Sequence, residues 1–332
     1  MADMLALGRL LELTLSGRAP CERMQATTGG ARLRWLAEGA LEVSPADGDD
    51  AGLDLVISAG VHGCELIPIE LLDRLIQAIA QGEIHPRARL LLLFCNPPAM
   101  RLGVRRVGQD LNRLFCGKHG DGASDEARRA AQLEALVANF FEKSGRRRWH
   151  YDLHSAMRPS RLAQFAICPW VAGRAVSPDS LARLQLAGVE AVLVQEKPSG
   201  TFSAHTATQH AAEAFTLEMA EPREGVWPAN LDSFLKATRA WIEGAENSDS
   251  AMPRPPLQRF RLAREVIKRS EQFLLRLPSD IENFAQLPLG TVLAEDEGGV
   301  RWIVEEPGAH ILFPLADVAI GERAGLIVVP YG

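Results

Sequence analysis

Residues 53–80 read LDLVISAGVHGCELIPIELLDRLIQAIA, and two different periods meet inside them. LDLVISAG is an apolar run ending in Gly60, the pattern of a buried strand. From Ile67 to Ala80 the apolar positions Leu71, Leu72, Leu75, Ile76 and Ile79 fall at helical spacing, so a helix follows the strand. A strand handing over to a helix is the repeating unit of an α/β sheet. At the junction sits His62-Gly-Cys-Glu65, and the carboxyl ends of strands are where such sheets build their sites.

The alternation extends to both sides. ARLRWLAEG (31–39) alternates like a strand, and ARLLLLFCNP (88–97) is a run suited to burial on both faces, stopped by Pro97 and Pro98. Residues 124–144 read as a helix with Ser124 as its N-cap. RRWHYDLHS (147–155), the stretch around Phe165–Cys168, VEAVLVQE (189–196) and AFTLEMA (214–220) read as strands. Helices are expected around Pro178–Gly188 and Asn230–Glu243. The expected fold is α/β, with a mostly parallel or mixed sheet covered on both faces. GAENSDSAMPRPP (244–256) is polar and proline-rich, the texture of a linker. Beyond it, short apolar runs broken by Gly and Pro point to a smaller β-rich C-terminal domain. The division is thus an α/β domain over 1–246 and a β-rich domain over 257–332.

Composition narrows the function. The 332 residues are 47% hydrophobic and 23% charged, with a net charge of -6, so no basic excess is available to replace phosphate counterions and nucleic acid is not expected as a partner. An anionic small molecule remains compatible, because a local group of arginines reverses the field inside one cleft. The five cysteines are scattered and form no C-x-x-C pair, which suits reduced thiols in a cytoplasm. MADMLALGRLLELTLSG lacks a basic leader and carries Asp3, Arg9 and Glu12, so it reads as an amphipathic start to the fold. No apolar run approaches the roughly 18–20 residues of a membrane span. Neither G-x-S-x-G nor a glycine-rich phosphate loop occurs. The oligomeric state is not encoded in these patterns, and a homo-oligomer stays open.

Three positions stand out chemically. His62 and Glu65 offer an imidazole and a carboxylate, both zinc ligands, at a strand-to-helix junction. His154 ends a second strand, and two histidines with one glutamate are the ligand set that keeps a coordination position open for catalysis. Asp152 points to the same side of that strand and is suited to orient a ligand histidine. Glu218 lies in the apolar AFTLEMA, where it is either paired with an arginine at the sheet rim or a general base with a raised pKa. Arg101, Arg105, Arg106, Asn112 and Arg113 crowd NPPAMRLGVRRVGQDLNRLF, and at least one of Arg101 and Arg106 is expected to be an ordinary solvated charge. His85, His119 and His310 read as loop residues, and His150 as exposed or structural. His205 and His210, shortly before Glu218, are candidates to line the cleft.

GVHGCEL, NPPAMR…DLNRLF, YDLHSA and TLEMAE, in that order, resemble the succinylglutamate desuccinylase/aspartoacylase family of the zinc carboxypeptidase superfamily. TFSAHTATQHAAEAFTLEMAEPREG resembles the desuccinylase branch. The resemblance implies one zinc ion per subunit, ligated by His62, Glu65 and His154 in a catalytic domain over 1–246. It implies Glu218 as general base, Arg105 as the arginine that polarises the scissile carbonyl, and Asn112 with Arg113 as holders of a substrate carboxylate. The family often has an aromatic residue after that arginine; Arg106 stands there, so Arg106 is the alternative register. The implied substrate is a small anionic N-acyl amino acid. The implied reaction is hydrolysis of N-succinyl-L-glutamate to succinate and glutamate, the last step of arginine catabolism through succinylated intermediates. An aspartoacylase-like deacylase and a carboxypeptidase are the alternatives.

Overall fold

The computed structural model describes residues 6–156, 158–220, 229–245 and 255–331. A short helix, α1 (Leu10–Ser16), precedes an antiparallel meander of β1 (Met24–Ala26), β2 (Arg32–Ala37) and β3 (Ala40–Ser44). There follow β4 (Leu53–Ala59), α2 (Leu66–Ala80), β5 (Arg89–Phe94), α3 (Pro97–Leu102), α4 (Asp125–Phe140), β6 (Arg147–Ala156) and β7 (Gln164–Cys168). Next come α5 (Pro178–Leu186), β8 (Ala191–Val194), α6 (Phe202–Gln209), β9 (Glu213–Ala220) and α7 (Ala229–Ile242). The C-terminal stretch adds β10 (Gln258–Ile267), β11 (Leu274–Leu275), β12 (Ala285–Gln286), β13 (Val292–Asp296), β14 (Val300–Ile303), β15 (His310–Leu312) and β16 (Arg323–Pro330).

One mixed sheet runs β1-β2-β3-β5-β4-β6-β9-β7-β8-β10-β16-β15-β12, and β11-β13-β14 form a separate small antiparallel sheet. The centre of the large sheet, β5-β4-β6-β9, is parallel. Every residue of β4 and β5 is buried, as the continuous apolar runs require. One face is closed by α2, whose Leu71, Leu72, Leu75, Ile76 and Ile79 enter a core shared with Phe234 and Trp241 of α7. The other is closed by α4, through Ala130, Leu133 and Val137, and by Phe202 of α6. The expected α/β class with a doubly covered mixed sheet and a β-rich C-terminal part is what the chain adopts, with parallel pairing confined to the interior and antiparallel strands on both flanks.

Two helices have no counterpart in the sequence reading. The proline-led α3 begins where the run 88–97 stops, because Asn96 caps it by accepting from the Ala99 amide at 3.3 Å. The second, α6, is buried on nearly every side through Phe202–Ala207, so its sequence shows no amphipathic period. The C-terminal stretch is also less separate than its texture implies: β10 pairs in parallel with β8 and carries the large sheet onward. Most of the linker segment, residues 246–254, lies outside the described residues.

Candidate metal centre and cleft

The parallel register fixes what meets at the carboxyl ends. Ser58 of β4 stands opposite Asp152 of β6, and His154 of β6 opposite Glu218 of β9. Just past β4 the chain turns at Gly60, whose φ is +67°, and a Cβ there would lie 2.7 Å from Met100 Sδ. A Cβ on Gly63 would lie 2.1 Å from the Ala99 carbonyl carbon, so the His62–Glu65 loop rests backbone to backbone on α3. Asn96 completes the seat, its backbone amide donating to the Gly60 carbonyl at 3.0 Å.

Within that frame His62, Glu65 and His154 converge. They offer ligand atoms all within 4.8 Å of one another, and all three residues are buried. Glu65 lies between the imidazoles, with Oε1 2.6 Å from His62 Nδ1 and Oε2 2.9 Å from His154 Nδ1. Each histidine has a carboxylate behind its other nitrogen: Asp110 Oδ1 is 3.1 Å from His62 Nε2, and Asp152 Oδ2 is 3.2 Å from His154 Nε2. Such backing carboxylates fix ring orientation and raise ligand basicity in metal sites. The donor set of two imidazoles and one carboxylate, each imidazole so backed, fits a divalent cation of the zinc type.

Burial works against charge throughout, so the shifts report the partners. It raises the Glu65 carboxyl, yet His154 and His62 hold it far below the usual carboxylate range. Asp110 is likewise pulled well down by His62, Arg113 and Arg105 despite its burial. Burial lowers the His154 imidazole, but Glu65 and Asp152 outweigh it and push it well above its ordinary value. Glu218 goes the other way. Burial pushes its carboxyl up to about 7, with Glu65 adding to the push and His154, His62 and Arg105 opposing it.

The arginine-rich segment divides. Arg105 faces the centre, Nη1 donating to Glu65 Oε1 at 3.4 Å and Nη2 standing 3.9 Å from Asp110 Oδ2. Arg106 instead lies 3.7 Å from Glu322, on the C-terminal stretch. Arg101 is tied to Glu38 and to the Thr14 carbonyl at 2.9 Å, fastening α1 to α3. Asn112 is buried, its Oδ1 accepting from the Phe202 amide at 3.0 Å, which turns Nδ2 to within 3.4 Å of His154 Nε2. Arg113 is exposed and donates to the Asn112 carbonyl at 2.9 Å. His205 does not join the group: its Nδ1 lies 3.1 Å from Glu134, and its ring packs 5.3 Å from that of His210. Glu221 lies outside the described residues.

Sequence reasoning passes over four residues. Asp110 sits in plain view, beginning the DLNR motif. His150, read as exposed or structural, is fully buried and hydrogen-bonded to Ser58, which no motif marks. Arg323, at the start of β16, is the fourth: burial lowers its guanidinium to about 10, with Arg113 next and Arg105 also disfavouring its charge, while Glu265 and Glu218 favour it. It lies over the Phe313 ring at 5.9 Å and, among the described residues, has no hydrogen-bond or ion-pair partner.

Comparison with known proteins identifies the family. Residues 51–243 match the succinylglutamate desuccinylase/aspartoacylase catalytic domain, and residues 255–331 match the barrel-sandwich hybrid domain of the same family. A protein of Pseudomonas fluorescens named succinylglutamate desuccinylase is 53% identical over 332 residues, 98% of each chain. Solved structures of succinylglutamate desuccinylases superpose closely. That from Vibrio parahaemolyticus has a TM-score of 0.86 at 30% identity, covering 97% of this chain and 95% of its own. That from Chromobacterium violaceum has a TM-score of 0.82 at 36% identity, covering 97% of this chain and 98% of its own. The chain belongs to the succinylglutamate desuccinylase/aspartoacylase family.

Proposed function

We propose that the protein hydrolyses the amide of N-succinyl-L-glutamate to succinate and L-glutamate, using one zinc ion held by His62, Glu65 and His154. The observation that carries the reading is the convergence of those three residues, with Glu218 in register beside His154. The names borne by relatives that match along 98% of the chain support the choice of substrate. That reaction would be the final step of arginine breakdown through succinylated intermediates, a cytoplasmic process.

Zinc, when bound, supplies a Lewis acid that lowers the pKa of water and polarises a carbonyl. The protein's own groups do the rest. Glu218, with a carboxyl near 7, is poised to take a proton from the attacking water and return it to the departing amine nitrogen. Arg105 directs its guanidinium into the centre, where it opposes the negative charge that grows on the carbonyl oxygen. Asn112 presents Nδ2 because the Phe202 amide occupies its Oδ1, and Arg113 stands beside it, so the pair suits a substrate carboxylate. N-succinylglutamate carries three carboxylates, and Arg105 and Arg113, with Arg323 within electrostatic reach of both, are the guanidiniums available to meet them.

The test is a panel of N-acyl amino acids on metal-analysed protein. N-succinyl-L-glutamate should exceed N-acetyl-L-aspartate in kcat/KM by at least about 100-fold, the discrimination expected when charged groups of the site are left unpaired by the smaller substrate. Equal or faster turnover of N-acetylaspartate would replace this reading with an aspartoacylase-like one, and comparable cleavage of a blocked dipeptide would replace it with a carboxypeptidase.

A further inference from the structure

Behind the metal centre runs a buried chain of hydrogen bonds. Because side chains alternate along a strand, His150, Asp152 and His154 share one face of β6. All three are essentially inaccessible, as are Ser58 on β4 and Thr206 on α6. Thr206 Oγ1 lies 2.8 Å from His150 Nδ1, His150 Nε2 lies 2.8 Å from Ser58 Oγ, and Ser58 donates to Asp152 Oδ1 at 2.6 Å. The chain ends where Asp152 Oδ2 meets His154 Nε2 at 3.2 Å.

The proton inventory gives this chain a direction. A buried carboxylate needs its donors, so the single Ser58 proton goes to Asp152 and Ser58 Oγ is left to accept. His150 must then carry its proton on Nε2. Burial pushes this imidazole down to about 4, so it is neutral, and with its one proton on Nε2 its Nδ1 is an acceptor for the Thr206 hydroxyl, which also lies 3.0 Å from the Ser203 carbonyl. The opposite tautomer would draw the Ser58 proton to His150 and leave Asp152 Oδ1 without it. Asn112 Nδ2 is 3.4 Å from His154 Nε2 and is itself a donor, so it does not compete with Asp152 for the His154 proton.

We infer that Ser58, His150 and Thr206 are positioning residues, a one-way relay that keeps Asp152 an acceptor and holds His154 with Nε2–H inward, leaving Nδ1 as the nitrogen that faces Glu65 and is offered to the metal. The inference rests on the reading of His62, Glu65 and His154 as metal ligands. It assigns a purpose to a histidine and a serine that touch neither metal nor substrate. It also links α6, which carries Thr206, to the metal centre.

The experiment measures zinc affinity of the full-length apo protein by competition with a chromophoric chelator, alongside the thermal melt of the apo form. Ser58→Ala and His150→Leu should each weaken zinc binding by about 10-fold or more, as for other groups that orient ligand histidines. Their combination should weaken it little further, because both cut the same chain. His150→Gln, whose amide can donate to Ser58 from the same place, should recover most of the loss. Should His150→Leu fail to fold, Ser58→Ala, which removes one oxygen, decides alone. Affinities within about twofold of wild type, with only the melt lowered, would overturn the relay and leave a structural role. A loss that His150→Gln does not rescue would overturn it as well. Failure of the wild type to bind zinc would instead remove the metal reading itself, and the relay with it.

Discussion

Glu65 and Glu218 face the same pair of histidines and are driven in opposite directions. Glu65 accepts from the Ser155 amide at 3.2 Å and from Arg105 at 3.4 Å, and it lies against both imidazoles, so its charge is stabilised despite burial. The Glu218 carboxylate accepts no hydrogen bond among the described residues, and burial dominates. Carboxylates split in this way take different roles, one as a fixed anion and the other as a proton carrier. Replacing Glu218 with alanine should therefore lower kcat by about 100- to 10,000-fold, the range of a general base, with metal content unchanged. Parallel loss of metal would make Glu218 a ligand, and retained turnover would remove it from the chemistry. Glu218 stands out in the sequence because an acid in AFTLEMA breaks an apolar run. His150 does not, because H-x-D-x-H on a strand shows which residues share a face but not that Ser58 on another strand links two of them. Arg105 and Arg106 separate only once each has a partner in space, Glu65 for one and Glu322 for the other.

At the scale of elements, the loop that carries His62 and Glu65 is held by a helix that the sequence does not announce. NPPAM reads as the stop of a strand, which it is, but Pro97 also opens α3, and the backbone of Ala99 comes against Gly63. The glycine in HGCE is thus fixed by contact, and no left-handed backbone is involved. Gly63→Ala would drive a methyl to 2.1 Å from the Ala99 carbonyl carbon, with no flexible side chain able to yield. The substitution should cost about 1–3 kcal/mol in denaturant unfolding and lower zinc occupancy as the loop shifts. Wild-type stability and occupancy would show that the loop is not seated on α3 as described. Among the helices that are legible, α2 and α4 show one apolar face, and α5 and α7 also lie where the sequence places them; α6, buried nearly all round, offers no such stripe.

Over the whole molecule, a single sheet joins the two family-matched segments. The change in texture after residue 257 correctly signals short strands, but strand partners are not written in a local pattern, so the pairing of β10 with β8 is not legible there. Phe165 on β7, Phe260 on β10 and Phe284 pack together across this junction, with ring centroids 4.9 and 5.1 Å apart. Through it the C-terminal stretch brings Glu322 against Arg106 and Arg323 into the field of Arg105, Arg113 and Glu218. Both segments therefore contribute charged groups around the proposed centre, while its candidate ligand atoms come from β6 and the loop after β4. Anomalous scattering at the zinc edge, from crystals of the zinc-loaded protein, tests that centre most directly. The account predicts one peak per chain, about 2.0–2.2 Å from His62 Nδ1, a Glu65 carboxylate oxygen and His154 Nδ1. A peak bound by other residues, or a His154 ring turned to coordinate through Nε2, would contradict it.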